Sequence, residues 1–286
     1  MPLQSLGCFA CFERYVGIRT LRRRRIILEP NEMMKWMPAG LSALSMAIMI
    51  MIAGVGDIVQ AQRYGGSSSH DRGRPDQGNK PGQFDYYTLV LSWSPTHCAS
   101  QPTTKARNDP QCSPKPGGRP YAFVLHGLWP QHMKGFPERC WTDFKPYVPK
   151  PVINGMLDIM PSTGLIIHQY KKHGTCSGLK PEEYFGLSSR IFHRIKVPQR
   201  YVLPSKPQMV APDTLIDEFI AANPVLGLGH DMIAVSCGGA GNRLREVRIC
   251  VNKDGDPRSC GRNEDQRRLC NANRMFVPPV RLPASP

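Results

Sequence analysis

Acidic side chains are scarce in this sequence. Its 286 residues include 22 Asp and Glu against 37 Lys and Arg, which gives a formal net charge of +15. A field of that sign attracts polyanions, among them nucleic acid, acidic polysaccharide and membrane surfaces. The shortage of negative charge therefore indicates a class of partner and leaves the activity open.

Internal repeats are absent, and so is a second pair of cysteines or histidines at the spacing of a zinc site. The missing repeat argues against a repetitive architecture. His173 and Cys176 lie close together, but two such residues alone make metal binding a weak alternative. We therefore expect no metal and no cofactor.

Long apolar stretches are absent except at residues 37–55, which carry no charge. Lys35 precedes this run and a Val-Gln-Ala sequence at 59–61 follows it, so the segment has the parts of a secretory signal peptide. The sequence predicts a signal peptide at 33–61 that is cleaved after Ala61. An uncleaved membrane anchor is the alternative, since the run is close to the minimum length of a span.

The flanks of the predicted signal peptide differ in character from the rest of the chain. Residues 1–32 lie upstream of three methionines at 33–37 that could each start translation, so this part need not be made. Residues 62–82 are rich in Gly, Ser, Pro and charge, which predicts a disordered linker. One domain at 83–286 remains. Removal of the leader 1–61 takes away seven basic and four acidic side chains and leaves a formal charge of +12.

The predicted domain alternates between strand and helix patterns. β-Branched and aromatic runs predict strands at 86–93, 233–236 and 244–251. A further strand is predicted in the apolar segment that ends at His126. Helical patterns are found at 152–159, 165–176, 181–185, 187–196 and 214–222, the last capped by Asp213. Residues 98–120 carry many Pro, Gly and polar residues and predict a long loop. Strands interleaved with helices indicate the α+β class.

Ten cysteines reduce to eight once the leader is removed. An even number behind a secretion signal predicts disulfides formed in an oxidising compartment. The sequence alone leaves their pairing open. The eight are Cys98, Cys112, Cys140, Cys176, Cys237, Cys250, Cys260 and Cys270.

Residues 168–176 read HQYKKHGTC and concentrate chemistry in a short space. If the segment is helical, His168 and Lys172 share one face while Gln169 and His173 share the neighbouring face. Gly174 can adopt the left-handed conformation that ends a helix, which predicts an exposed His173 at a helix C-terminus, where a protonated imidazole is favoured. A solvated basic helix end is the alternative interpretation.

Residues 121–131 read YAFVLHGLWPQ, an apolar strand-like run that leads to His126. Together with the HQYKKHGTC segment some forty residues later, this stretch closely resembles the two active-site segments of the ribonuclease T2 family. The similarity extends to FDYYTLVLSWSP near Phe84 and to the cysteine-rich end, so it covers roughly residues 83–280.

This resemblance implies a fold and a disulfide pattern. The fold would be a central antiparallel β-sheet with helices packed around it, stabilised by disulfides. The implied pairs are Cys140 with Cys176, Cys237 with Cys270, Cys250 with Cys260, and Cys98 with Cys112.

The resemblance also implies metal-free cleavage of single-stranded RNA through a 2′,3′-cyclic phosphate. His173 would be the base and His126 the acid, because unperturbed imidazoles titrate near working pH. His168 would bind the phosphate and Lys172 would stabilise the charge that builds on it. Substrate-binding residues would be Trp129, for which packing is the alternative role, and Tyr121.

Partners and location follow from the same resemblance and from the signal peptide. We expect RNA as substrate, no cleavage of DNA because DNA lacks the attacking hydroxyl, a monomer, and no stable membrane association after signal removal. We expect the protein in the periplasm or outside the cell.

Two positions of the HQYKKHGTC segment depart from the family pattern. Gln169 stands where the family usually has Glu, and Tyr170 stands where Trp is common. Glutamine keeps hydrogen bonds but carries no charge and takes no proton. The sequence therefore predicts a weakened enzyme, and the alternative is a family member that binds RNA or another polyanion with weak or lost catalysis.

Overall fold

The computed structural model describes residues 79–114 and 118–281. The predicted signal peptide, the residues upstream of it and linker residues 62–78 lie outside this part. Residues 79–82 already pack on the domain, because the Gly82 N–H donates to the Cys176 carbonyl at 2.9 Å. Within the described ranges, no helix has both the length and the apolarity needed to cross a bilayer.

Six strands form one sheet in the order β2-β1-β5-β6-β3, and β4 pairs with β5. The pairs are antiparallel except for β5 with β6, which is parallel. The predicted α+β class with a central antiparallel sheet is therefore confirmed, apart from that one pair. The strands are β1 Tyr86–Trp93, β2 Phe123–Gln131, β3 Gln208–Val210, β4 Ile233–Gly238, β5 Arg243–Val251 and β6 Met275–Val277.

Strand β1 lies between β2 and β5 and has the predicted bounds. Its sequence, YYTLVLSW, lacks the alternation of a half-exposed strand, and every residue except Ser92 is buried. A strand covered on both faces needs apolar side chains at successive positions, which β-branched and aromatic residues supply. This strand holds β2 and β5, the two strands that carry site residues, at fixed distance from each other.

Helices pack around this sheet. They are α1 Ser94–Ser100, α2 Thr103–Asn108, α3 Lys150–Met156, α4 Thr163–Gln169, α5 Thr175–Ser177, α6 Pro181–Arg194, α7 Pro212–Ala222 and α8 Gln266–Leu269. A π-helical turn, Tyr170–Gly174, joins α4 to α5 without a break.

Three predictions about these helices were wrong. The predicted loop at 98–120 contains the end of α1 and all of α2. The two helices predicted on either side of Gly186 are the single helix α6, because its buried face, which includes Tyr184 and Leu187, outweighs the small helix penalty of one glycine. Asp213 lies in the first turn of α7 rather than at its cap.

The α4–α5 segment is anchored to the core by Tyr170. This ring is fully buried between Tyr184 and Phe185, with centroids 5.8 and 6.1 Å away. Its hydroxyl donates to the Leu179 carbonyl at 2.9 Å. The aromatic that replaces the usual Trp at this position therefore packs in the core and fixes the segment against α6.

Four disulfides close the fold, and they are the four pairs that the resemblance implies. Cys140 bonds to Cys176, which ties the loop after β2 to α5. Next to it, the Arg139 N–H donates to the Lys172 carbonyl at 2.7 Å. The other pairs are Cys98 with Cys112, Cys237 with Cys270, and Cys250 with Cys260.

We predict that replacing Cys140 and Cys176 by serine lowers the free energy of unfolding by about 4 kcal/mol in the chain-entropy account. Their bridge spans 36 residues. The matched variant without the Cys250–Cys260 bridge, which spans 10 residues, should lose only about 3 kcal/mol. Urea unfolding of both variants and the parent protein measures the two losses. A smaller loss for the longer bridge would contradict the prediction.

Candidate active site

His126 lies at an irregular point of β2. In the pairing of β2 with β1, Gly127 lies opposite Val90 and Leu125 lies opposite Leu91, so His126 is an extra residue without a partner. This is a β-bulge, which bends a strand and redirects a side chain. The prediction that the strand ends at His126 was wrong. The strand continues as far as Gln131, and Pro130 is tolerated within it because β2 lies at the edge of the sheet.

His173 lies in the π-helical turn that follows α4. Gly174 was predicted to end the helix in a left-handed conformation, but its φ is −59° and the helix continues to Gly178, whose φ is +78°. Gly174 has a different role, because a Cβ at this position would overlap the Tyr170 ring. The widened turn places His173 within the segment, and π-turns of this kind are frequent at functional sites.

The bulge and the π-turn bring the predicted site residues to one cavity of about 440 Å³. Its lining includes His126 and His173, the predicted acid and base. His168 and Lys172 from the helical segment lie beside them. The predicted residues at this cavity are His126, Trp129, His168, Gln169, Lys172 and His173.

Tyr121 is the predicted substrate-binding residue that the structure does not bring to this cavity. It lines two other cavities, and the Arg119 guanidinium lies over its ring at 5.1 Å from the centroid. Tyr121 precedes β2, and the strand carries the chain away from it before His126 is reached.

Trp129 holds the predicted catalytic residues together. Its ring stacks on His173 with centroids 5.0 Å apart and a tilt of 21°, and it meets His126 edge-on at 5.2 Å. Its indole N–H donates to Gln169 Oε1 at 2.7 Å. A side chain at Gly127 would overlap both Gln169 and Trp129, so this glycine permits the contact. Packing, the alternative role for Trp129, is therefore observed.

His173 is buried, with 4% of its surface exposed. Burial, together with the nearby charges of Lys172, His126, His168 and Arg139, lowers the pKa of His173 to about 3. The prediction of an exposed imidazole stabilised in its protonated form was wrong. The π-turn continues into α5, so the partial charge of a helix end is not next to His173.

The surroundings of His168 also disfavour its protonated form. Burial lowers its pKa, and Lys172 and Arg139 add to that effect. Lys172 itself pairs with Glu138 at 3.4 Å. A neutral imidazole and a lysine four residues apart on a helical segment can each donate to one anionic oxygen.

Two residues that sequence reasoning missed, Glu246 and Arg248, lie on β5. Glu246 Oε1 is 2.9 Å from His126 Nδ1, and Arg248 donates twice to Glu246 Oε2, at 3.1 and 2.8 Å. The Arg248 guanidinium also lies over Trp129, 5.3 Å from the ring centroid. Burial opposes ionisation of Glu246, but the hydrogen bond with His126 and the charge of Arg248 hold the pKa of Glu246 below its usual value.

The sequence holds a weak signal for this pair. Glu246 and Arg248 are charged positions on either side of the buried Val247, and Ile249 follows. Such alternation places both charges on one face of a strand. Three further residues at the cavity come from loops and short elements that carry no such signal, namely Phe136, Asn263 and Arg268.

Clusters with metal-ligand residue types occur at two places in the described ranges. One holds His97, Asp109 and Cys112, and the other holds Cys250, Cys260 and Glu264. All three cysteines are in disulfides, so none offers a thiolate. Neither cluster keeps the ligand set that its residue types suggest.

Comparisons with known proteins identify the family. The Ribonuclease T2 family model matches residues 84–260. A ribonuclease of Aeromonas hydrophila is 34% identical over 192 residues, which cover 66% of this chain and 81% of that protein. A probable ribonuclease of Haemophilus influenzae is 33% identical over 129 residues, which cover 43% of this chain and 47% of that protein.

Among solved structures, an RNase-related protein from Calystegia sepium is similar with a TM-score of 0.51. The two sequences are 19% identical, and the alignment covers 70% of this chain and 98% of that chain. The likeness therefore concerns the fold. The family match spans both histidine segments and the whole of strands β1 and β5. This chain therefore belongs to the ribonuclease T2 family, and it is an endoribonuclease of that family.

Proposed function

We propose that this ribonuclease cleaves single-stranded RNA without a metal, by transphosphorylation through a 2′,3′-cyclic phosphate. The observation that carries the proposal is the position of two imidazoles in opposite surroundings on the Trp129 ring. His173 stacks on the indole and is buried, whereas His126 meets its edge and contacts a carboxylate. Two groups of one type with different environments can serve as base and acid.

His173 is the base in this proposal. Since its pKa is lowered to about 3, it is neutral at any ordinary working pH and can accept the proton of the 2′-hydroxyl. The 2′-oxygen then attacks the adjacent phosphorus. The Trp129 ring and the π-turn hold the imidazole so that little reorganisation is needed when the proton moves.

His126 is the acid. The Glu246 carboxylate accepts the hydrogen bond from Nδ1–H and orients the ring, and Arg248 keeps that carboxylate charged. Nε2 of His126 is then free to give its proton to the 5′-oxygen as the phosphorus–oxygen bond breaks. Hydrolysis of the cyclic product by water uses the two roles in reverse.

The remaining cavity residues act on the phosphate. His168 binds its oxygens, and Lys172 stabilises the extra negative charge of the phosphorane. Gln169, held by Trp129, offers an amide where the family usually has a carboxylate. DNA can bind the same cations but is not cut, because it has no 2′-hydroxyl.

We also propose that the active form is exported and monomeric. The apolar run at 37–55 with the Val-Gln-Ala site at 59–61 supports cleavage after Ala61 and release from the membrane. The four disulfides support folding in an oxidising compartment, the periplasm or the medium. Residues 83–286 would then be the catalytic domain.

We predict that cleavage of RNA persists in EDTA and yields 2′,3′-cyclic phosphate ends, as measured by product analysis on an oligonucleotide. His126→Ala and His173→Ala should each lower kcat by about 10² to 10⁴. The double variant should be little worse than either single one, because acid and base act as a unit. The exposed His193→Ala is the matched control. Unreduced cleavage by either single variant would refute the assignment.

We predict that Gln169→Glu raises kcat by roughly 10-fold, since a carboxylate can stabilise the transition state and keeps the acceptor for the Trp129 N–H. The added charge should also raise the pKa of His173, so the acidic limb of the pH–rate profile moves to higher pH.

Gln169→Leu is the control for this change. It removes the acceptor at 2.7 Å from the indole nitrogen and should lower kcat below that of the parent protein. Thermal unfolding of both variants detects loss of the fold. A well-folded Gln169→Glu protein with unchanged rate and profile would place residue 169 outside the reaction, and strong cleavage by the parent would exclude the binding-only alternative.

Stability should depend on pH through His173. The folded state lowers its pKa from 6.5 to about 3, so between these values the unfolded state binds more protons and stability falls as pH falls. We predict a loss of up to about 5 kcal/mol across this window. His173→Asn should show a shallower dependence, and the control His193→Asn should match the parent. Urea unfolding at several pH values measures the slopes, and equal slopes for all three proteins would contradict the prediction.

A further inference from the structure

A second cavity, of about 420 Å³, adjoins the active site on the other side of His126. His126 lines both cavities. The second one is bordered by Ser92 and His97 from the region of β1 and α1, and by the glycine-rich turn that joins β4 to β5. The cleft therefore continues past the acid of the proposed reaction.

Arg245 is placed at this second cavity by a bulge of its own. In the pairing of β5 with β4, Glu246 lies opposite Ser236 and Leu244 lies opposite Cys237, so Arg245 is an extra residue. It is exposed and lines the cavity beside Glu246. The two bulges of the sheet thus direct His126 and Arg245 to the same cleft.

Gly238 makes room for this arginine. A Cβ at Gly238 would lie 2.9 Å from Arg245 Cζ and 3.2 Å from its Nε, so the guanidinium rests against the backbone of the turn. Arg243, two residues earlier, lies over Phe276 at 5.0 Å and donates to the Ala240 carbonyl at 3.3 Å. Both side chains are therefore supported at the rim of the cavity.

Arg243 and Arg245 differ from Arg248 in their charge balance. Within the described ranges, no carboxylate oxygen lies within 4.0 Å of Arg243 or Arg245, whereas Arg248 is paired with Glu246. The acidic groups near the cavity already have partners, since Asp109 contacts His97 at 3.3 Å and Glu246 contacts His126. Among the residues that the structure describes, the two positive charges at this cavity therefore have no neutralising partner.

We propose that this cavity is a phosphate-binding subsite for RNA nucleotides on the 3′ side of the cleaved bond, with Arg243 and Arg245 as its ligands. The inference rests on the proposed function, because His126 protonates the 5′-oxygen of the leaving strand and that strand must lie on the His126 side. Guanidinium groups suit phosphate oxygens through paired, charged hydrogen bonds. Arg243 and Arg245 lie two residues apart on β5, so they can contact an RNA backbone that continues past the cleaved bond.

The test uses oligonucleotides with a single ribonucleotide in a deoxy chain, so that one bond can be cut. Three substrates are compared: a dinucleotide, the same dinucleotide extended by deoxynucleotides on the 3′ side, and one extended on the 5′ side. In the parent protein the 3′ extension should raise kcat/KM. In Arg243→Gln/Arg245→Gln that gain should fall by roughly 10-fold, and the slope of log kcat/KM against log salt should become shallower by about 1.4.

Two further double variants distinguish phosphate binding at this cavity from a general effect of net charge and from loss of the fold. Arg243→Lys/Arg245→Lys keeps the charge and should keep most of the gain. Arg190→Gln/Lys206→Gln removes the same charge from exposed positions away from both cavities and should behave as the parent. Thermal unfolding monitors the fold of each protein.

The proposal would be overturned if the glutamine double variant lost the same factor in kcat/KM on all three substrates. It would also be overturned if that variant kept the full gain in kcat/KM from the 3′ extension. Failure of the proposed function is distinguishable, because then none of the substrates is cut by the parent protein. Binding of an all-deoxy oligonucleotide, measured by fluorescence anisotropy, still tests the subsite in that case. The glutamine double variant should bind it about 10-fold more weakly than the charge-matched control, and equal binding would refute the proposal.

Discussion

The contact on which the site depends is the packing of the Trp129 indole against two imidazoles. It stacks on His173, meets His126 edge-on and donates its N–H to Gln169. Such a contact demands that an edge strand and a helical segment approach within the thickness of one ring. Gly127 permits the approach because any side chain there would occupy the space of Trp129 and Gln169.

The rest of the fold holds these two elements in place. On one side, β1 is buried on both faces and fixes β2 as its neighbour. On the other side, Tyr170 anchors the π-turn in the core while the Cys140–Cys176 bridge ties the same segment to the loop after β2. Because interiors are close-packed, neither element can shift without disturbing the indole contact.

Electrostatic asymmetry then distinguishes two chemically identical groups. His173 is neutral because burial raises the free energy of its charged form. His126 keeps partial access to solvent and has a partly buried carboxylate beside it. The Arg248 charge prevents that carboxylate from being an unpaired ion, which would be costly at this depth. The excess of positive charge in the whole chain continues along the cleft to Arg243 and Arg245.

The sequence by itself determined the fold class, the β1 strand and the identities of the six residues that meet at the cavity, because local propensity and two short motifs carry that information. It did not determine the bulge at His126, the π-turn at His173 or the burial that lowers the pKa of His173, and it placed Tyr121 with residues that it does not contact. Glu246 and Arg248 were also missed, since they come from a strand 120 residues beyond His126. Register irregularities and the solvation of a side chain depend on what packs against it from distant segments, so only the tertiary structure decided them.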